Sequence, residues 1–489
     1  MTRLTAKLLP QLPEGVRPAY DPAAQAAGIL HLGLGAFHRA HQAFYTDAAL
    51  ARDGGDWRIL AVSLRSTETV DALRAQDGLF TLVERGPHGD RAQVIGAVAD
   101  ALAAARDSQE VLAVFERPEI RIVTLTVTEK AYGFDRASMD IEPGHEAIAA
   151  DLAAPQQPRG VIGLLVEGLR RRRAADLRPP AILCCDNLPE NGPLLRAGVL
   201  GFARRVDVDL AEWIAQEVAF PASMVDRITP ATTDETAKRA QALIGADDAA
   251  AVETEPFTQW VIEENFPQGR PSWEAGGAVF VADVAPFERM KLRMLNGAHS
   301  LIAYAGFLAG HAYVRDAMSD ASLAVLVDRH IRAAAGTVGR LEGIDLDAYR
   351  ADLLARFANP AIAHQTYQIA MDGTEKLPQR IFAPATDALT SGADLAPYAF
   401  AVAAWMCYAT GRDAKGKNYD LRDPREDELR RAVLHAGNDA SALVAALTAL
   451  PSFFPVSLRD SPAFRHALET RLAVMLDRGM PEAIRREAA

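Results

Sequence analysis

The segment Lys291-Leu292-Arg293-Met294-Leu295-Asn296-Gly297-Ala298-His299 carries an amine, an amide and an imidazole in Lys-x4-Asn-x2-His spacing. Read as an α-helix at ~100° per residue, it places Asn296 ~140° and His299 ~80° from Lys291, so one broad face holds all three. That set suits oxidation of an alcohol without a metal. A base must take the hydroxyl proton as hydride leaves carbon, and a lysine does this when burial and nearby positive charge lower its pKa. An amide donor on the face can stabilise the oxygen where negative charge gathers in reduction. An imidazole can hydrogen-bond the same oxygen and orient the substrate. An amphipathic helix with a solvated lysine produces the same spacing.

Two other segments offer complementary chemistry. Gly33-Leu34-Gly35-Ala36-Phe37-His38 follows an apolar run and precedes a helical pattern. Gly33 permits a tight turn, Gly35 lets backbone approach a pyrophosphate, and the next helix presents free N–H groups. His38 stands where the third glycine of G-x-G-x-x-G belongs, so the fingerprint is imperfect, and an ordinary strand–helix turn has the same form. The second run ends Ser63-Leu64-Arg65-Ser66-Thr67-Glu68, without an Asp to hold the ribose hydroxyls. Glu68 can serve from the following turn, whereas Arg65 suits a 2′-phosphate. NAD is therefore the preferred cofactor, and NADP stays open. Cys185-Asp186-Asn187-Leu188-Pro189-Glu190-Asn191-Gly192 follows another apolar run, and Asn187 is a candidate second amide donor; a plain turn is the alternative. His31, His38 and His41 surround the glycine turn, with i, i+3 spacing between the last two. No paired carboxylate or cysteine stands nearby, so packing and hydrogen bonding are expected of them, and no metal.

The elements that must position these groups are legible in outline. Gly28–Gly33, Arg58–Leu64, Arg121–Val127 and Ala181–Cys185 read as strands. Helical patterns run over about 40–50, 67–75 and 161–173. Such alternation predicts an α/β, Rossmann-type domain with a parallel sheet. From about Pro286 onward, helical spacing recurs at 320–335, 345–357, 395–410 and 463–478. The expected division is 1–285 for dinucleotide binding and 286–489 for a mostly α-helical substrate and catalytic domain. Arg170 to Arg173 close a predicted helix and read as its solvated, dipole-complementing end.

Composition bounds the partners. The 489 residues carry a net charge of −12, which argues against nucleic acid or an anionic membrane surface. Three cysteines, Cys184, Cys185 and Cys407, form no framework and read as reduced thiols of a cytoplasmic protein. The opening stretch, with Pro10 and Pro13, has no apolar core, so no signal peptide is expected. The expected partner is a small molecule. Nothing fixes an oligomeric state, and a monomer accommodates all of this.

Taken together, these segments resemble the polyol-specific long-chain dehydrogenases, the family of mannitol 2-dehydrogenase, fructuronate reductase and tagaturonate reductase. The resemblance covers nearly the whole chain. It rests on the runs Gly33 to Gln42, Thr126 to Glu129, Cys185 to Asn187, Met224 to Pro230, Gln259 to Glu263 and Lys291 to His299. It implies an active site in a cleft between the two domains, with Lys291 as acid/base. It also implies Asn187 and Asn296 as donors to the reacting oxygen, His299 as a substrate ligand, Asp226 as a pocket residue, and Glu288 as a glutamate near the lysine. Around Gly33 and Gly35 it implies cofactor contacts from Ala36, Phe37 and His38.

Several stretches look closest to the fructuronate reductase (D-mannonate oxidoreductase) branch: Thr128 to Tyr132, His299 to Tyr304, Gln368 to Arg380 and Ala404 to Tyr408. The resemblance thus points to reversible, NAD-dependent reduction of D-fructuronate to D-mannonate, with a neutral-polyol enzyme such as mannitol 2-dehydrogenase as the alternative. A dinucleotide-binding regulator without catalysis is disfavoured by the complete lysine, amide and imidazole set. A uronate carries a carboxylate, for which Lys130, Lys376 and Arg380 are candidate cations, Arg380 in bidentate fashion. Surface or interdomain salt bridges are the other use for them.

Overall fold

A computed structural model describes residues 2–135, 138–341, 344–413 and 416–489. The chain divides into two compact units, Met1–Ala285 and Pro286–Ala489.

The first unit is built on a five-stranded sheet in the order Val98–Ala103, Arg58–Ser63, Ala27–Leu32, Ile122–Leu125, Ala181–Cys184. All neighbours are parallel. Strands such as Ile29-Leu30-His31-Leu32 are buried on both faces, as the near-continuous apolar sequence requires when helices cover both sides. The chain leaves the central strand on one side and returns on the other, so the strand order reverses between Ala27–Leu32 and Ile122–Leu125. Ligands of open parallel sheets collect at such a reversal, beyond the carboxyl ends.

The edge strand Val98–Ala103 is absent from the sequence reading. Its Val-Ala-Asp-Ala-Leu-Ala composition favours helix, and pairing with Arg58–Ser63 overrides that preference. Two three-stranded sheets also lie outside the sequence reading. Phe80–Gly86 and Gly89–Ile95 form a hairpin beside Val252–Thr254. Ser223–Asp226 runs antiparallel to Gln259–Glu263, which is flanked by Val279–Val281. The arginines that close helix Val161–Ala174 are not uniformly solvated. Arg172 is buried and donates to the carbonyls of Phe115, Arg117 and Arg178. It thereby satisfies carbonyls around the end of helix Ser108–Phe115 that have no partner within that helix.

The second unit is helical throughout its described elements. The periodic patterns begin at Asp320 and Asp345 because both are N-caps. Asp320 accepts from Ser322 N and Leu323 N, and Asp345 from Asp347 N and Ala348 N. Helices Ala321–Ala335 and Ala396–Ala409 pack against Gly297–Leu308. Among the described residues no helix is long and apolar enough to cross a membrane.

Candidate active site

In the first unit, Gly33 sits at the strand-order reversal. Its N–H and that of Leu34 donate to Val62 O at 2.8 and 2.9 Å. Its φ is +111°, and a Cβ there would stand 2.1 Å from Thr126 O. No side chain fits this turn. Gly35 differs: the nearest atom to an added Cβ is Gly33 O at 3.8 Å, so its outer face is open. An open backbone face after a central parallel strand, leading into helix Ala36–Ala40, fits a dinucleotide pyrophosphate.

Below the turn, His31 bonds Thr124 Oγ1 (2.8 Å), Thr126 Oγ1 (2.9 Å) and Gly33 O (3.1 Å). Its ring stacks on His38 at 3.4 Å. Burial holds His31 down to about 3, and burial followed by the neighbouring His31 holds His38 well below the usual imidazole range. Both rings are therefore neutral. His38 replaces the third glycine by turning its ring into the core, away from any surface a dinucleotide could meet; only its backbone belongs to the turn. Phe37 stacks on His41 at 4.9 Å. Arg65 and Glu68 lie exposed just past strand Arg58–Ser63. Nearby, a cavity of about 1020 Å³ is lined by residues that include Leu64, Ala104, Arg106 and Arg171.

Asn187 is exposed in the turn after Ala181–Cys184, and Asp226 is the buried last residue of Ser223–Asp226. Two neighbours fix that turn. Asp186 accepts from Val127 N at 2.9 Å and from Tyr132 OH at 2.6 Å, and desolvation foremost pushes its carboxyl up to about 7. Asn191 donates to Asp186 O (3.1 Å) and Ser223 O (2.7 Å) and accepts from Ser223 N (3.0 Å). The segments bearing Thr126 to Glu129, Asn187 and Asp226 are thus bonded into one framework. Sequence reasoning quoted Asp186 and Asn191 only as turn residues. An Asp and an Asn flanking an amide candidate on a strand end were the available signal.

In the second unit, Lys291, Asn296 and His299 are 6%, 5% and 8% exposed. The α-helical angles expected for them do not hold, because Lys291–Asn296 is a π-helix. With i→i+5 bonding, residues five apart become neighbours along the axis, so Asn296 falls close to the line of Lys291 rather than far around the helix. A second π-helix, Pro378–Phe382, packs against the first and contains Arg380. The approach is close enough that a Cβ on Gly297 would lie 2.9 Å from Arg380 O. Arg293, between Lys291 and Asn296 in sequence, anchors the segment elsewhere by donating to Thr337 O at 2.7 Å and pairing with Asp387. Glu288 is half-buried in helix Ala285–Met290, one turn before Lys291.

His299 packs against Phe357 (4.6 Å) and meets His364 edge-on (5.3 Å). Among the described residues its buried Nε2 has no hydrogen-bond partner. Burial first, then the charges of His364, Arg380, Arg356 and Lys291, hold it well below the usual range, so it is a neutral hydrogen-bonding group. Half-buried Arg380 donates to Ser300 Oγ at 3.4 Å, and burial lowers it to about 10. Lys376 is already engaged, with Met371 O at 2.6 Å, Ile369 O at 3.3 Å and Asp372 at 3.6 Å. It contributes charge beside Arg380 more than a free donor. Lys130 is exposed in the first unit, on the short helix Glu129–Tyr132. Arg356 and His364, which sequence reasoning passed over, join the group because helix Leu346–Phe357 and the chain after it close over His299.

The sequence family described as the mannitol dehydrogenase Rossmann domain matches residues 27–275, and the mannitol dehydrogenase C-terminal domain matches 283–476. The chain is 42% identical over 477 residues to the uncharacterized oxidoreductase YeiQ of Escherichia coli (strain K12), covering 96% of each. It is 40% identical over 477 residues to that organism's D-mannonate oxidoreductase, covering 96% of this chain and 97% of the relative. Among solved structures, Pseudomonas fluorescens mannitol 2-dehydrogenase in ternary complex with NAD and D-mannitol superposes with a TM-score of 0.86 at 37% identity, over 99% of both chains. The chain is an oxidoreductase of the mannitol dehydrogenase family.

Proposed function

We propose that the chain reversibly reduces D-fructuronate to D-mannonate with NAD(H). The observation that carries the acid substrate is the cationic surrounding of His299: Arg380, Arg356 and Lys291 all act on one neutral, partnerless imidazole. Such a field favours an anionic substrate. The 40% identity to a D-mannonate oxidoreductase supports the same choice.

In this reading the open backbone at Gly35 receives the pyrophosphate, with Gly33, Ala36, Phe37 and the backbone of His38 shaping the turn, and Arg65 and Glu68 stand near the adenosine ribose. NAD(H), when bound, supplies the hydride that C5 of the keto acid gains and takes it back in oxidation. Lys291 gives its proton to the nascent alkoxide and recovers it in reverse. Asn187 and Asn296 donate to that oxygen while it is charged, and His299 orients the substrate. Asp226 and Lys130 line the substrate, Glu288 tunes or relays for Lys291, and Arg380, with Lys376 beside it, holds the carboxylate.

A neutral-polyol reading is favoured by the likeness to a mannitol 2-dehydrogenase. NADH oxidation by purified protein over fructuronate, tagaturonate and fructose, with mannonate and mannitol in reverse, decides between them. Higher kcat/KM with fructose and mannitol than with fructuronate and mannonate rejects the acid assignment.

A further inference from the structure

Tyr304 lies on helix Gly297–Leu308 among Leu301, Ile302, Ala303, Ala305 and Leu308, a setting in which phenylalanine would be the ordinary choice. It is 1% exposed, and among the described residues its hydroxyl has no hydrogen-bond partner. An unpaired buried hydroxyl costs stability. Sequences tolerate such a cost mainly where function uses the group.

The surroundings say what that use is. Ser300 stands one helical turn before Tyr304 on the same face, and Ser300 Oγ receives the guanidinium of Arg380. Through Ser300, the guanidinium of Arg380 is held one helical turn from Tyr304 along the same helix face. Burial first, then Asp423 and Asp372, push the phenol's pKa upward against the opposing pull of Arg380, so the group stays protonated and can donate. On another side, a Cβ on Gly373 would stand 2.8 Å from the hydroxyl, so only bare backbone fits there.

We propose that Tyr304 is a specificity-determining residue that contacts substrate, its hydroxyl donating to the same carboxylate that Arg380 binds. This rests on the acid-substrate reading above. A phenol donor beside a guanidinium adds a charge-assisted bond to a carboxylate that a hydroxymethyl group receives only in weaker form.

The test is Tyr304→Phe, assayed with D-mannonate and D-mannitol, together with Arg380→Gln and the double variant. The expected result is a drop in kcat/KM of about tenfold or more with D-mannonate against less than about threefold with D-mannitol. Because the lost hydroxyl bonds nothing among the described residues, Tm should hold or rise. The two substitutions should be non-additive with D-mannonate if they hold one carboxylate. An unchanged mannonate-to-mannitol ratio in Tyr304→Phe, or full additivity with Arg380→Gln, overturns the inference. Failure of the acid reading itself appears separately, as wild-type protein that acts on D-mannitol and ignores D-mannonate; that result removes the role of Tyr304 as well.

Discussion

Alanine at Gly33 and alanine at Gly35 are the same chemical change two residues apart, and they should fail in opposite ways. At position 33 the methyl meets backbone, 2.1 Å from Thr126 O and 2.6 Å from its carbonyl carbon, at a φ of +111°. Left-handed strain costs about 1–2 kcal/mol, and crowding against atoms that cannot rotate away costs about 1–3 kcal/mol. A loss of about 2–5 kcal/mol corresponds to a fall in Tm of about 3–8 °C for a unit of this size. At position 35 φ is −111° and the nearest atom among the described residues is 3.8 Å away, so the protein accepts the methyl and Tm should stay within about 1 °C. The methyl then fills the space a pyrophosphate needs, and NADH affinity should fall about 10- to 100-fold. Thermal melting without cofactor, paired with NADH titration by tryptophan quenching, reads both quantities. Unchanged NADH affinity in Gly35→Ala would refute the turn as a cofactor site. Unchanged melting in Gly33→Ala would refute the steric argument.

Lys291→Ala should lower kcat about 10²- to 10⁴-fold, the range for a positioned acid/base, and leave NADH affinity nearly intact; stopped-flow turnover beside a binding titration checks both. Asp186 has its folded pKa raised to about 7 from 3.8, so its contribution to stability is present at low pH and lost as pH rises through about 7. The Tm of Asp186→Asn relative to wild type should therefore climb from about pH 4 to about pH 7 and level off above it; parallel melting curves across that range would remove desolvation as the cause. Arg172→Ala strips the donor from three carbonyls and should cost about 2–5 kcal/mol, whereas Arg170→Ala, whose ion pair with Glu167 is partly solvated, should cost about 0–1 kcal/mol. Denaturant unfolding of the two variants compares them, and equal losses would contradict the assignment.

The parts legible in the sequence were those governed by local pattern. Ile29 to Leu32 and Arg58 to Ser63 announced themselves as strands through buried apolar runs. Helices after Asp320 and Asp345 announced their starts through capping carboxylates. Val98–Ala103 was hidden because alanine speaks for helix while a neighbouring strand decides otherwise. The π segments were hidden for a related reason: their bonding pattern answers to packing between two helices, which no periodicity within one of them records. At the site, Lys291, Asn296 and His299 were visible as a spaced set. Arg356 and Tyr304 were not, since a charge ending a helix and a tyrosine in an apolar run look ordinary until folding sets them around Ser300, His299 and Arg380. Lys376 was visible as a cation, but its carbonyl partners were not.

The two π segments also bear on how this helix can change by insertion and deletion. A π turn amounts to an α-helix that has gained one residue. Removing one residue between Lys291 and Asn296 would return the segment to α geometry and leave the helix beyond it in phase, because the π turn already absorbs the extra residue. His299, Ser300 and Tyr304 would keep their partners, whereas removing one residue from the α-helix just before any of them would rotate it by ~100° away. The extra residue is thus kept for what happens inside the turn, the placement of Lys291 against Asn296, and a single-residue deletion here should cost activity while leaving the fold of the helix beyond it largely intact.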